Sequence, residues 1–242
     1  MGKISRLNPL LEALKAPSNR IQNILIQKNS ANKKVEDIMR QAHSLGIPCS
    51  FVSRQALDKM DPYHQGLIAF VAERKLSSFD EIMTSAVIPF FVLVDGVEDP
   101  HNLGAIIRTA EGAGVNGIFI PERRAVGLTE TVSRVSAGAV EHVRISQVKN
   151  MARTMDELRK KDVWLVGAEG GSQRSWFEFD YSLPVGLVFG SEGKGLRPLI
   201  REKCDDILSL PLFGQVSSLN VAAAAAVFLY EVVRQRKANN IE

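Results

Sequence analysis

The chain has 242 residues, of which 45% are apolar and 24% charged, as in an ordinary globular protein with one large or two modest domains. A formal net charge of +3 is compatible with a nucleic-acid partner but does not require one. No apolar run reaches the ~18 residues of a membrane span, and residues 1–11 lack the apolar core of a signal peptide, so we expect a cytoplasmic protein.

Residues 1–73 are predicted to form a small α/β domain. Its predicted elements are, in chain order, a helix at 9–16, a strand at 21–26, a helix at 33–45 and strands at 48–52 and 66–71. The polar turn 61–66 carries one aromatic residue, Tyr63, and is either a ligand contact or a solvated loop. Residues 74–88 are polar, with one short possible helix, and are predicted to be a linker.

Residues 89–242 are predicted to form a second domain in which apolar strands alternate with helices. The predicted strands are 91–94, 117–120, 163–166, 185–189 and 207–210. The predicted helices are 103–113, 129–135, 148–161 and 197–203. Strands without polar alternation, separated by helices, predict an α/β fold with a parallel sheet covered by helices on both faces. Ligands bind such sheets at the carboxyl ends of the strands, where this sequence places polar loops.

The first of these loops follows strand 91–94 and leads into a helix. Asn102 is placed to cap that helix, and Arg108 lies four residues after Gly104. Because helical side chains lean towards the amino end, the Arg108 guanidinium would lie over the turn that Gly104 leaves bare. This arrangement suits a phosphate group, although an ordinary surface arginine would give the same pattern.

The second loop follows strand 185–189 and contains three glycines within residues 190–195. Glycines let a backbone approach a ligand closely, and a plain glycine turn is the alternative. The loop is not a Walker A motif, because Lys194 precedes the last glycine and Leu196 follows it. A third glycine loop, at 167–171, does not satisfy the dinucleotide-binding pattern.

The segment 208–230 contains a turn at Gly214, two serines and Asn220, followed by about ten uncharged residues. The run 221–230 is apolar on every side of a helix, so we expect that helix to be buried. A serine or Asn220 is expected to cap it, and capping alone could account for these polar residues.

Several kinds of site are not supported by the sequence. Cys49 and Cys204 match no metal-binding or disulfide spacing, so no metal is expected. No Ser/His/Asp set or carboxylate pair has a convincing spacing, and His101 stands alone beside Asn102. Any acid–base chemistry would therefore need an unusual group.

Taken together, the loops resemble the three sequence motifs of the SpoU/TrmH family of RNA ribose 2′-O-methyltransferases, within the SPOUT superfamily. Residues 102–108 resemble the first motif, 190–195 the second, and 210–221 the third. Residues 1–73 resemble the small RNA-binding domain that precedes the catalytic domain in many members, including its His-Gln-Gly turn at 64–66. The chain departs from the family pattern at Ala222, where serine is common.

This resemblance implies a fold, a cofactor and partners. The carboxy-terminal part would form a trefoil knot holding S-adenosylmethionine, and the knot region would pair two copies into a homodimer. The substrate would be RNA. The chain most resembles the members that methylate a guanosine ribose of 23S rRNA, and next those that methylate tRNA. A non-catalytic RNA-binding assembly factor is the competing interpretation from another class.

The resemblance also implies the roles of eight residues. The residues implied to hold the cofactor are Gly190, Leu210 and Leu219, and those implied to act on the substrate are Arg108, Asn102, Glu192, Ser218 and Asn220. Arg108 would either take the proton from the ribose 2′-OH with help from the substrate phosphate, or orient that phosphate and stabilise the developing alkoxide. Glu192 would hold the second loop or pair with Arg108. Arg123, Arg124, Arg134 and Arg144 could extend an RNA track or be solvated surface charges.

Overall fold

The structure is a computed structural model that describes residues 2–16, 20–30, 32–85 and 87–240. The ends of the two predicted domains, residue 1 and residues 241–242, therefore lie outside the described residues. The chain divides into two compact units, which comprise residues 1–75 with 128–142, and residues 76–127 with 143–242. Among the described helices, none combines the length and apolar character that crossing a bilayer requires.

The strands and helices follow one another along the whole chain. In the first half they are β1 (Gly2–Ile4), α1 (Leu7–Lys15), β2 (Ile21–Gln27), α2 (Lys33–Ser44), β3 (Cys49–Val52), α3 (Arg54–Met60), β4 (Leu67–Val71), α4 (Phe79–Met83), β5 (Phe90–Val94) and α5 (Pro100–Gly112). In the second half they are β6 (Gly117–Pro121), α6 (Glu130–Val135), a 3₁₀ turn (Ala139–Glu141), β7 (Ile145–Val148), α7 (Met151–Arg159), β8 (Trp164–Ala168), β9 (Val185–Phe189), α8 (Pro198–Glu202), β10 (Asp206–Leu208) and α9 (Val221–Ala238).

The small unit is built on a four-stranded sheet with the order β1-β4-β2-β3. The β2–β3 pair is parallel and the other two pairs are antiparallel. Helices α1 and α2 cover the sheet through a core that includes Leu10, Ile24 and Ile38. The predicted α/β character is therefore confirmed, although the sequence did not reveal β1 or α3.

Residues 128–142, which the sequence analysis placed in the second domain, pack within the small unit. The carboxylate of Glu141 is buried there and receives hydrogen bonds from Arg20 at 2.6 and 3.1 Å and from Arg74 at 3.2 Å. His142 Nε2 lies 2.9 Å from a carboxylate oxygen of Glu12. Burial lowers the pKa of Arg74 despite the neighbouring Glu141, so this ion pair is held in a poorly solvated place.

The larger unit is built on a six-stranded sheet with the order β10-β8-β9-β5-β6-β7, and all of its pairs are parallel. Strands β5, β6 and β9 are buried at every position, as the absence of polar alternation predicted. On one face a core joins Phe91 and Leu165 of the sheet to Met155 of α7 and Ile200 of α8. Ile82 of α4, in the segment expected to be a linker, is fully buried in the same core.

Helices α5 and α9 lie on the other face of the sheet, so the predicted parallel α/β fold with helices on both faces is confirmed. Phe228 of α9 packs edge-on against Phe189 of β9, with ring centroids 6.1 Å apart. The expectation that α9 is buried on every side is wrong for the single chain. Ala223, Val227 and Tyr230 form an exposed stripe, because the sheet and α5 cover only part of the helix.

The predicted helix 148–161 is also corrected. Residues 145–148 form the edge strand β7, and the helix begins only at Met151. The Asn150 side chain accepts a hydrogen bond from the Arg153 N–H at 3.1 Å and so fixes the start of α7. The strand was hidden because its four residues run directly into the amphipathic pattern of the helix.

Candidate active site

The carboxyl ends of β8, β9 and β10, which are neighbours in the sheet, surround a cavity of about 430 Å³. Residues 168–170 and 189–195 form one side of the cavity, and residues 208–219 with the first turns of α9 form the other. Gly190, Leu210 and Leu219, the three residues implied to hold a cofactor, all line it. The site therefore lies where ligands bind in open parallel sheets.

The loop after β9 depends on the absence of a side chain at Gly190. Ser191 and Gly195 exchange two backbone hydrogen bonds, at 3.1 and 3.0 Å, which fold the loop back on itself. A Cβ atom at residue 190 would lie 2.2 Å from the carbonyl carbon and oxygen of Gly195 and 2.5 Å from the Leu196 nitrogen. These neighbours are backbone atoms that cannot rotate away, so only glycine fits.

Asn220 joins three loops at the edge of the cavity. Its Oδ1 accepts hydrogen bonds from the Ala222 and Ala223 N–H groups at 3.0 and 3.2 Å, so Asn220 caps α9 as the sequence predicted. Its Nδ2 donates to Asn102 Oδ1 at 2.9 Å and to Glu192 Oε1 at 2.7 Å. One side chain thus fixes the start of α9 and joins it to the first turn of α5 and to the loop after β9.

Asn102 reaches this network from the first turn of α5, which corrects its expected role as a cap. Asp99 is the cap instead, accepting from the His101 N–H at 2.9 Å, and Pro100 starts the helix with its preset φ. The hydrogen bond from the His101 backbone, with that from its ring, holds the pKa of Asp99 below its ordinary value. Because the helix begins early, Asn102 is buried and faces Asn220.

A further polar contact, between Asp95 and Arg197, could not be predicted from the sequence. The Asp95 carboxylate, directly after β5, is buried and accepts two hydrogen bonds from the Arg197 guanidinium, both at 2.6 Å. Hydrogen bonding to Asp95 raises the pKa of Arg197. The pair connects the loop after β5 to the end of the glycine loop. An aspartate following an all-apolar strand was the available signal, but its partner lies 102 residues away.

Two of the implied substrate residues are not brought into the hydrogen-bond network. Ser218 lines the cavity and is exposed, with no hydrogen bond to any described residue. Arg108 is exposed on α5, beyond Asn102 on the same helix, and does not line the cavity. Within the described parts of the chain its guanidinium has no ion-pair partner, and Glu192 bonds to Asn220 rather than to Arg108. The suggested Glu192–Arg108 pair is therefore absent from the described contacts.

The cavity suits the implied cofactor, S-adenosylmethionine. Its walls include Leu208, Leu210 and Phe228, and the side chains of Leu212 and Leu219 are 37% and 44% exposed. Among the described residues, the backbone groups of 210–219 make no hydrogen bonds and are available to a ligand. Apolar walls with free backbone groups and a close backbone approach at Gly190 are what an adenine ring with a polar tail requires.

Comparisons with known proteins agree with this geometry. A model of the SpoU rRNA Methylase family matches residues 89–230, and a model described as RNA 2'-O ribose methyltransferase substrate binding matches residues 7–77. The chain is 42% identical to the 23S rRNA (guanosine-2'-O-)-methyltransferase RlmB of Shewanella oneidensis, over 93% of each chain. It is 40% identical to the putative TrmH family tRNA/rRNA methyltransferase YacO of Bacillus subtilis, over 95% of this chain and 94% of the relative.

A solved structure is also similar over nearly the whole chain. It is the SpoU methyltransferase AviRb from Streptomyces viridochromogenes in complex with the cofactor AdoMet, with a TM-score of 0.83 and 27% identity, covering 98% of this chain and 90% of that one. The two family models match consecutive parts of the sequence, and the relatives are matched almost from end to end. This chain therefore belongs to the SpoU rRNA methylase family.

Proposed function

We propose that this protein transfers a methyl group from S-adenosylmethionine to the ribose 2′-OH of a guanosine in 23S rRNA, in the cytoplasm. The observation that carries the proposal is the Asn220 network, which joins one residue from each of the three motifs beside a cavity suited to the cofactor. The nucleotide and the RNA are supported by the relative from Shewanella oneidensis, whose name specifies both.

The cofactor is held in this proposal by Gly190, Leu210 and Leu219 through their backbone groups and apolar walls. When bound, it supplies an electrophilic methyl group carried on a sulfonium. The chain must then place the ribose hydroxyl in line with that methyl group and lower the cost of removing the hydroxyl proton. The residues near the cavity divide between these two tasks.

Asn102, Glu192 and Asn220 are positioning residues, because their side chains bond to one another and hold the loops in register. Ser218 is the group that contacts the nucleotide, since its exposed hydroxyl lines the cavity and has no partner among the described residues. These assignments give each implied residue a role that its observed contacts allow.

Arg108 is the proposed catalytic residue. Its guanidinium is exposed and has no counter-charge in the described chain, so it can bind an RNA phosphate. Two roles follow for a group that is normally always protonated. Arg108 either accepts the hydroxyl proton with help from that phosphate, or stays charged and stabilises the alkoxide forming at the ribose.

We also assign the predicted domain 1–73, together with residues 128–142 that pack within the same unit, to RNA binding, and the remainder of the predicted domain 89–242 to catalysis. Residues 74–88 lie between the two predicted domains in the sequence. A trefoil knot in the carboxy-terminal part and a homodimer through that region complete the proposal. The exposed apolar stripe of Ala223, Val227 and Tyr230 supports the dimer, since an uncharged helix face of this kind is normally covered. Its occupant is a second copy of the chain.

The dimer is tested by introducing a charge into the stripe. Val227→Lys should convert the protein to a monomer in sedimentation or light scattering, whereas Glu157→Lys, on a partly exposed position of α7, should leave the mass unchanged. A dimer that survives the Val227 substitution would remove this face from the interface.

The activity is tested with labelled cofactor and three RNAs. They are a 23S rRNA transcript, tRNA transcripts, and the 23S transcript carrying a 2′-deoxyguanosine at whichever position the label is found to occupy in the first. Label should enter only the unmodified 23S transcript. Label in tRNA alone would identify the tRNA methylase, which the name of the Bacillus subtilis relative also allows. Cofactor binding without labelling of any RNA would favour the assembly factor.

A further inference from the structure

A second cavity, of about 270 Å³, lies in the small unit and is not used by the proposed reaction. Its walls are the residues around β1, the turn after α3, and α6. Three basic side chains line it, from Lys3, Arg6 and Arg134, together with the aromatic ring of Tyr63. This combination of cations and an aromatic ring is typical of single-stranded nucleic-acid sites.

The turn that carries Tyr63 is held firmly by the His-Gln-Gly motif. His64 Nδ1 accepts a hydrogen bond from the Gly66 N–H at 3.0 Å, and its Nε2 lies 3.0 Å from Asp58 Oδ1. Gln65 Oε1 accepts from the Leu7 N–H at 3.0 Å and so satisfies a donor at the start of α1. In this chain the motif residues His64 and Gln65 therefore fix the turn.

Tyr63 is presented to solvent by this rigid turn. Its backbone N–H donates to Asp61 at 2.8 Å, while its side chain is left 68% exposed. The Arg6 guanidinium lies 5.6 Å from the centre of the ring and also donates to the Tyr63 carbonyl. An exposed aromatic ring on a fixed backbone offers a flat surface with little conformational entropy to lose on binding.

The charges around the ring favour an anion. Lys3 Nζ uses one hydrogen bond, to the Met60 carbonyl at 3.0 Å, and Arg134 is exposed without an ion pair in the described chain. Two carboxylates, from Asp61 and Glu130, also line the cavity. The Tyr63 N–H donates to Asp61 without removing its charge, so three cations face two carboxylates and the lining keeps one net positive charge.

We propose that this cavity binds an unpaired nucleotide of the RNA substrate, with its base stacked on Tyr63 and its flanking phosphates facing Arg6, Lys3 and Arg134. The inference rests on the proposed RNA substrate but not on the methyl transfer. Stacking on an amino-acid side chain requires a free base face, which a duplex does not offer. The small unit therefore selects RNA by an exposed base in addition to charge.

The test compares affinities for a short single-stranded RNA of mixed sequence and for its duplex, using full-length protein. Tyr63→Ala should weaken single-strand binding about 5- to 100-fold, the usual range for one stacked base, and change duplex binding little. Tyr63→Phe keeps the ring and should bind as the wild type does. Phe51→Ala removes another exposed ring of the same unit, 52% exposed and outside the cavity, and is the matched control.

The salt dependence tests the cations separately. Arg134→Ala should reduce the slope of log affinity against log salt by about 0.7 for the single strand, as one lost phosphate contact predicts. With the complete RNA substrate, Tyr63→Ala should raise KM and leave kcat unchanged, because the ring is not in the catalytic unit's cavity.

The outcomes separate this inference from the proposed function. If Tyr63→Ala and Phe51→Ala bind the single strand equally well, the stacking site is wrong even when the protein methylates RNA. If the wild type binds the single strand but transfers no methyl group, and only Tyr63→Ala weakens that binding, the stacking site stands and the proposed reaction fails. If Tyr63→Ala loses the same affinity for the duplex as for the single strand, the site does not bind an unpaired base.

Discussion

The two cavities of this protein are built from different parts of the chain. In the larger unit, the cavity owes its shape to backbone, with a glycine loop folded on itself at Gly190 and unbonded peptide groups along 210–219. In the small unit, the cavity owes its character to side chains, above all the ring of Tyr63 and the three cations around it. Substitutions should therefore damage shape and stability in the first and only affinity in the second.

The largest expected effect separates turnover from binding. Arg108→Ala should lower the rate of methyl transfer by about 1,000-fold, because in the proposed mechanism it removes the group that binds the phosphate and acts on the ribose hydroxyl. Cofactor affinity, measured by calorimetry, should stay near the wild-type value, since Arg108 does not line the cavity. Substantial turnover in the variant would remove Arg108 from the mechanism.

Arg108→Lys refines the same comparison. A lysine keeps the charge but not the two-pronged geometry of the guanidinium. Partial activity would favour a role in neutralising charge, whereas activity as low as that of the alanine variant would mean that the guanidinium itself is needed. Both variants should retain the melting temperature of the wild type, because the side chain is exposed.

The second effect concerns stability in the small unit. Glu141→Gln should lower the free energy of unfolding by about 3 kcal/mol, because the mostly buried Arg20 guanidinium would lose the buried carboxylate that balances its charge. Denaturant titration measures the loss. Glu157→Gln, which breaks the exposed Arg153–Glu157 pair on α7, is the control and should cost less than about 0.5 kcal/mol.

A similar small loss in both variants would contradict the buried ion pair. Such a result would also mean that residues 128–142 are held to the small unit mainly by apolar packing, for which Gly138 offers a second probe. A Cβ atom there would lie 2.7 Å from the Cβ of Glu12, at a backbone φ of +94°. Gly138→Ala should therefore destabilise the unit even if the ion pair contributes little.

The third effect tests the backbone origin of the larger cavity. Gly190→Ala should reduce cofactor affinity by about 100-fold, because the added methyl group would push the Gly195–Leu196 backbone away from residue 190 and open the loop. Gly170 lines the same cavity, but a Cβ atom there meets nothing within 4 Å. Gly170→Ala should bind the cofactor normally, and equal affinities of the two variants would show that the loop is not closed in solution.

The sequence predicted those parts of the molecule whose cause is local. The buried strands were recognised from continuous apolar residues, and the cap of α9 was predicted to be a serine or Asn220, of which the structure has Asn220. The start of α5 was misplaced because Asn102 and Asp99 are both residue types that cap helices. Pro100 favours the earlier start, and the hydrogen-bond partner of Asn102 lies 118 residues away in the sequence.

The features that the sequence did not reveal are non-local. The Asp95–Arg197 pair joins two loops that meet only when β5 and β9 become neighbours. The exposed stripe on α9 depends on which elements of the same chain cover the helix, and hydrophobic pattern alone cannot supply that information. The motif residues were identified by family resemblance, and the structure shows which of them bond to one another.

The smallest expected effect separates the two tasks of Asn220. Asn220→Ser keeps an oxygen that can cap α9, so the melting temperature should change little, but it removes the Nδ2 donor that reaches Asn102 and Glu192. Methyl transfer should fall about tenfold, as expected when a positioning group lets the reacting atoms drift by a fraction of an ångström. Asn220→Ala should lose the cap as well, and an additional ~1 kcal/mol of stability. If Asn220→Ser matches the wild type in turnover, Asn220 is only a cap. If both variants lose the same activity and only Asn220→Ala is destabilised, the site requires the hydrogen bonds from Asn220 to Asn102 and Glu192.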